Sequence, residues 1–216
     1  MKSKSKYAIL SVTGLILAGL TLFCSCNDKD ESDEGAFTRS QCYYYSNGNK
    51  INLMEIASKQ FVMLKDGADT AEVRGELQTL GCKVGNFKNI SSEETTIVYW
   101  CELDNVKQPS ALHNMEEIIY HAPFVKTNEG DTMGVTQLFL VKLKTESDIH
   151  LLQQVAEATN VTIIGNDDYQ PLWYFLVCTK ASKGNALQMA AYFYETKYFA
   201  SAQPEFLYSV SLCKAE

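Results

Sequence analysis

Histidine is scarce in this 216-residue chain, with three in all, and no C-x-x-C pair occurs. A zinc site built on the usual Cys and His spacings is therefore unsupported. The chain also lacks G-x-x-x-x-G-K-[ST], G-x-G-x-x-G and G-x-S-x-G, so neither a phosphate-cradling loop nor a nucleophile elbow is indicated. His113, His121 and His150 are scattered, and two of them, His113 and His150, fall on expected helices beside polar residues, as solvated side chains do. Glu93-Glu94 and Glu116-Glu117 are neighbours in sequence, and neighbours do not face each other across a cleft as an acid/base pair must. Asp167-Asp168 sits in an expected turn with too few oxygen ligands nearby for calcium. The expectation is a protein that is not an enzyme, with no catalytic residues, no metal and no cofactor.

Positive charge is the next shortage. Lys+Arg number 19 against 26 Asp+Glu. Three of those lysines, Lys2, Lys4 and Lys6, precede an apolar run from Tyr7 to Phe23 that ends in Cys24-Ser25-Cys26. This is the layout of a secretory signal over residues 1–25, and the run is short for the roughly 20 apolar residues of a membrane span. The small residues before the cysteine resemble a bacterial lipobox. Ser25 makes Cys26 the expected lipidation site, since Cys24 follows the bulky Phe23. With the signal removed, Lys+Arg falls from 19 to 16 against the same 26 acids, a formal charge of −10. Such a surface argues against nucleic acid, which is held through basic contacts to phosphate. It argues equally against anionic lipid, so attachment to a membrane would come from the acyl chains alone. Residues 26–38 are polar and acid-rich, with little to bury, and read as a flexible tether. Within them Lys29-Asp30-Glu31 resembles the surface-export signal of lipoproteins in Bacteroidetes-like bacteria, which implies a surface-exposed place in the outer membrane.

Five cysteines follow Cys26, an odd and widely spaced set (Cys42, Cys82, Cys101, Cys178 and Cys213) that does not form a disulfide framework. Cys101 and Cys178 fall in apolar, strand-like runs and read as small buried hydrophobes.

What the chain has in plenty is apolar and aromatic residues, including 12 Tyr and 10 Phe. Their pattern repeats. From Phe61 a strand, helix, strand, strand, helix and strand are expected, and the same order returns from about Thr136. In the first run Asp69-Thr-Ala-Glu72 predicts a capped helix with Val73, Leu77 and Leu80 on one face and Gly81 beyond its end. Strands are expected over residues 82–90 and 95–103, then a second helix from Ser110 carrying Leu112, Met115 and Ile118, then a strand over 120–125. In the second run Leu138–Leu143 predicts a strand and Thr145-x-x-Asp148 a cap for a helix with Ile149, Leu152 and Ala156. Strands over 161–164 and 172–179, a helix through Leu187 and Tyr194, and a strand over 198–207 complete it. The expected fold is α+β, two tandem ferredoxin-like βαββαβ units with antiparallel sheets; the alternative is a single mixed α+β sheet. An N-terminal hairpin plus the first unit would occupy residues 39–130 and the second unit 131–216. A sheet with helices on one face leaves its other face to dock, on the sister unit or on a partner.

Four segments carry a family resemblance: Tyr43-Tyr-Tyr-Ser-Asn-Gly-Asn-Lys50, Pro171-Leu-Trp-Tyr, Ser182-Lys-Gly-Asn-Ala-Leu-Gln-Met189 and Phe199-Ala-Ser-Ala-Gln-Pro-Glu-Phe206. Together they resemble the N-terminal prodomain region of subtilisin-like serine proteases from Bacteroides-type bacteria, over about residues 43–206. The resemblance implies a ferredoxin-like fold and a subtilisin-like protease as partner, inhibited or assisted in folding. The open sheet face would dock on the enzyme. Pro204, Glu205, Phe206 and Leu207 would lead a tail into its substrate cleft, with Leu212 or Cys213 filling subsites. The protease's own segments, Asp-[Ser/Thr]-Gly, His-Gly-Thr and Gly-Thr-Ser-Met, occur nowhere in the 216 residues. The alternative is a non-enzymatic surface-binding lipoprotein whose protease partner has been lost.

Overall fold

The computed structural model describes residues 42–91 and 97–208, which lie in one compact unit. Its architecture is mixed α+β, dominated by an antiparallel sheet with few helices. A two-stranded hairpin comes first, β1 (Tyr43–Ser46) and β2 (Asn49–Asn52). Asn47 and Gly48, with φ of 49° and 81°, turn it, the pair of positive φ values that a tight Asn-Gly hairpin requires.

The first run then gives β3 (Met54–Leu64), α1 (Thr70–Thr79), β4 (Lys83–Val84), β5 (Lys88–Ser91), β6 (Ile97–Asp104), α2 (Pro109–Asn114) and β7 (Ile118–Lys126). The second gives β8 (Thr132–Lys142), a 3-10 turn at Glu146–Asp148, α3 (Ile149–Thr159), β9 (Thr162–Asn166), β10 (Trp173–Val177), α4 (Ala186–Glu195) and β11 (Ser201–Tyr208). The caps form where the sequence placed them. Asp69 accepts from the N–H groups of Ala71 and Glu72 at 2.8 and 3.3 Å. Thr145 and Asp148 close a reciprocal box, and so do Asn185 and Gln188 at the start of α4.

Two elements differ from expectation. The strand expected over residues 82–90 is split into β4 and β5. Gly85 bonds to the carbonyl of Glu102 and Arg74 holds the carbonyls of Val84 and Gly85, which ends β4 there. The second helix is only six residues long. Met115 leaves it in an extended conformation, and Ile118 enters the sheet opposite Leu64 instead of continuing a helical stripe. Lys65 helps hold this exit, pairing with both Glu116 and Glu117.

Strands of the first run lie in the order β4-β6-β3-β7 and those of the second in the order β9-β10-β8-β11, every pairing antiparallel. β7 also pairs with the start of β8, so all the strands after the hairpin form one nine-stranded sheet. At this junction the Phe124 ring lies over Gly134, where a Cβ would come within 3.0 Å of the ring. A larger residue at 134 would displace it.

Two apolar clusters are packed among the described residues. The smaller joins α1 and α2 to one face of β3 and β6 through Val73, Leu77, Leu112, Val62, Leu64, Cys101 and Leu103. The larger takes the opposite face of those strands (Phe61, Met63, Trp100) and continues without a break into Phe139, Val141, Leu176 and the α3–α4 side chains. The sheet face that the first run leaves free of its own helices is thus buried within the protein. Cys101 and Cys178 are fully buried, as expected, and burial raises the Cys101 thiol to about 12 and pushes the Cys178 thiol up as well.

Tyr120 ties the two runs together. Its ring is buried in the larger cluster, its hydroxyl donates to the Thr136 carbonyl at 2.7 Å, and it accepts from the Ala186 N–H at the start of α4 at 3.3 Å. Tyr120→Phe keeps the ring but takes the partner from a part-buried carbonyl and strands a buried N–H. A loss of about 1–3 kcal/mol in denaturant-unfolding stability is expected.

Candidate docking surface

Side chains alternate across a strand, so register alone sorts the second run's sheet into two faces. Phe139 and Val141 on β8, Leu176 on β10 and Ala202 on β11 point toward α3 and α4 and are buried. The intervening positions point the other way. Register places Leu138 opposite Val177, Leu140 opposite Phe175 and Lys142 opposite Trp173. Gln203 and Ser201 lie beside Leu140 and Lys142 on the β11 side. All five apolar residues of this patch (Leu138, Leu140, Trp173, Phe175 and Val177) are only partly buried, and none belongs to either apolar cluster. Lys142 lies over the Trp173 ring, 5.7 Å from its centre, covering part of it as long cationic stems do. A bulge in β9 pushes Ile164 out to 59% exposure at the rim. The result is an aromatic-aliphatic stripe with a polar border, open to solvent among the described residues.

The N-terminal hairpin lies elsewhere, against α4 and β11. Tyr43 and Tyr45 both donate to Glu195 Oε1, at 2.7 and 2.9 Å, and Tyr45 stacks on Tyr194 with ring centres 4.3 Å apart. Tyr44 meets Phe206 edge to face at 5.4 Å. Burial first, then the hydrogen bonds to Glu195, raise the ionisation of Tyr43 and Tyr45 above the ordinary phenol value. The tyrosine run is therefore a strap across α4 and β11 of the second run.

Of the residues expected to lead a tail, Pro204 is buried opposite Phe139, while Phe206 and Leu207 pack against the larger cluster. They belong to the sheet through β11. Glu205 is exposed at a bulge and accepts from Thr136 Oγ1 at 2.9 Å. Cys26, Lys29, Asp30, Glu31, Leu212 and Cys213 lie outside the described residues.

The histidines are less scattered than they look in sequence. His113 on α2 and His121 on β7 stand edge to face, ring centres 6.0 Å apart, because Val62 pairs with His121 on the face that α2 covers. His150 lies apart, its Nδ1 against the Ser147 carbonyl at 2.7 Å. Among the described residues no three His, Cys, Asp or Glu are grouped to hold a metal ion, and no helix is long and apolar enough to cross a membrane. No signal in the sequence alone marked the two histidines as neighbours, since the pairing depends on the β3–β7 register.

No protein-family model matches the chain, and none of the curated proteins compared with it matches either.

Proposed function

We propose that this chain is a lipid-anchored envelope protein that binds a subtilisin-like protease in trans, in the manner of a propeptide separated from its enzyme, and inhibits it or assists its folding. The observation that carries the reading is the uncovered stripe of Leu138, Leu140, Trp173, Phe175 and Val177 on a sheet whose other face is packed under helices. Apolar surface of this kind, bordered by polar residues, is what a partner buries. Supporting it, both runs have the strand order and all-antiparallel pairing of a βαββαβ unit, and we read them as two ferredoxin-like units in tandem. The signal segment, Cys26 and the acidic tether would hold this module at the outer membrane, exposed at the surface.

Because Leu207 and Tyr208 are strand residues, the part of the chain proposed to enter a substrate cleft begins after Tyr208. A form ending at Tyr208 keeps β11 whole and should dock through the same face, yet inhibit a subtilisin at least tenfold more weakly than the full chain. Steady-state inhibition with a peptide substrate measures this. Equal inhibition by both forms would remove the tail from the account while leaving the sheet face in it.

A further inference from the structure

The stripe on β8 and β10 has a cation at one end and a carboxylate at the other, and their placement is self-complementary. We propose that this face also pairs with a second copy of the chain, in a two-fold dimer that closes each stripe on the other.

Register gives three rows across the strands. Ser201, Lys142 and Trp173 form the first, and Gln203, Leu140 and Phe175 the second. Leu138 and Val177 form the third, which Glu205 borders, two residues beyond Gln203 on β11. Alternation along β11 buries Ala202 and Pro204 on the helix side, so Glu205 projects on the stripe side and is exposed there. From the row of Lys142 to Glu205 is four residues of strand, roughly 13 Å at about 3.3 Å each. Within one copy the two charges do not meet. Lys142 lies over Trp173, Glu205 accepts from Thr136 Oγ1, and neither forms an ion pair among the described residues.

This pattern selects the occupant. A two-fold axis that lies in the interface and crosses the strands at the second row reverses strand direction between the copies. Leu140 and Phe175 then face their own counterparts, and Trp173 covers Val177 of the second copy. Each Lys142 stands over the row that the other copy's Glu205 borders, so the interface gains two ion pairs at once. Sheet faces packed in this way lie about 10 Å apart, which both charged side chains can bridge. An axis along the strands would bring like charges to the same end, so the charges also fix the orientation. The chain has a net charge of −7, yet these rows and their border hold one cation and one anion, so two copies can approach here without repulsion. The face also serves the proposed protease, so dimer and protease complex exclude each other; that consequence rests on the reading above.

Sedimentation velocity on the full chain, Lys142→Glu and Glu205→Lys tests the pairing. The full chain should dimerise at micromolar concentration. Each variant alone brings two pairs of like charges together and should dissociate at least tenfold more readily, with its thermal midpoint unchanged. An equimolar mixture of the two variants restores both pairs, one of them reversed, and should regain the dimer. A full chain that stays monomeric at tens of micromolar would overturn the proposal. Association that neither reversal weakens, or that the mixture does not restore, would overturn it too. Subtilisin inhibition is read separately: a monomer that inhibits leaves the protease as the occupant of the face, and a dimer that does not inhibit leaves the second copy.

Discussion

Replacing Phe193 by Ala is expected to lower unfolding stability by about 3–5 kcal/mol, the largest effect of any single substitution considered. Phe193 lies on α4, is fully buried, and meets Phe139 of β8 edge to face at 5.2 Å and Phe199 in a stack at 5.6 Å. Its removal takes away the transfer energy of an aromatic ring and leaves a cavity bounded by Phe139, held in β8, and by Phe199, in the bend that leads into β11. The same α4 carries Tyr194 and Glu195, on which the N-terminal hairpin rests. Loss of Phe193 packing should therefore loosen the hairpin too. Urea unfolding followed by far-UV circular dichroism gives the magnitude. A cost below about 1 kcal/mol would mean that α4 is not fixed to β8 by this ring.

The reason that much of this fold could be read from the sequence lies in its local signals. Asp69 and Thr145 announce their helices because an N-cap acts within three residues of itself. Asn47-Gly48 announces its hairpin for the same reason, as positive φ is a property of those residues. The element order of both runs, with Phe61–Leu64 and Leu138–Leu143 as strands, follows from apolar runs of strand length. What was not legible is set by distant partners. The early end of α2 depends on Ile118 pairing with Leu64, and on Lys65 meeting two glutamates fifty residues away in the chain. The joining of both runs into one sheet depends on a short β7–β8 contact where Gly134 admits Phe124.

The candidate sites divide along the same line. Trp173 and Phe175 could be recognised as an aromatic feature, but only the register with Leu138 and Leu140 shows that they form a stripe facing away from the helices. Pro204, Phe206 and Leu207 fall in the strand expected over residues 198–207 and lie in β11, whereas their role in leading a tail came from the family resemblance alone; which of them are buried follows from pairing with β8.

The second large effect is functional, and it bears on the central claim, that the stripe on β8 and β10 is the surface that meets a protease. Leu140→Gln combined with Phe175→Glu would place a polar amide and a carboxylate in register in the middle of the stripe, at positions that belong to neither core cluster. Burying an unpaired carboxylate against a partner is costly, so docking should be lost while folding is kept. The decisive measurement is inhibition of a purified subtilisin by the full chain and by this double variant, with thermal midpoints of both recorded. The account predicts inhibition by the full chain and a loss of at least a hundredfold in the variant, with midpoints that agree to within a few degrees. Inhibition that survives the double substitution, or a full chain that leaves subtilisin activity untouched at micromolar concentration, would contradict it.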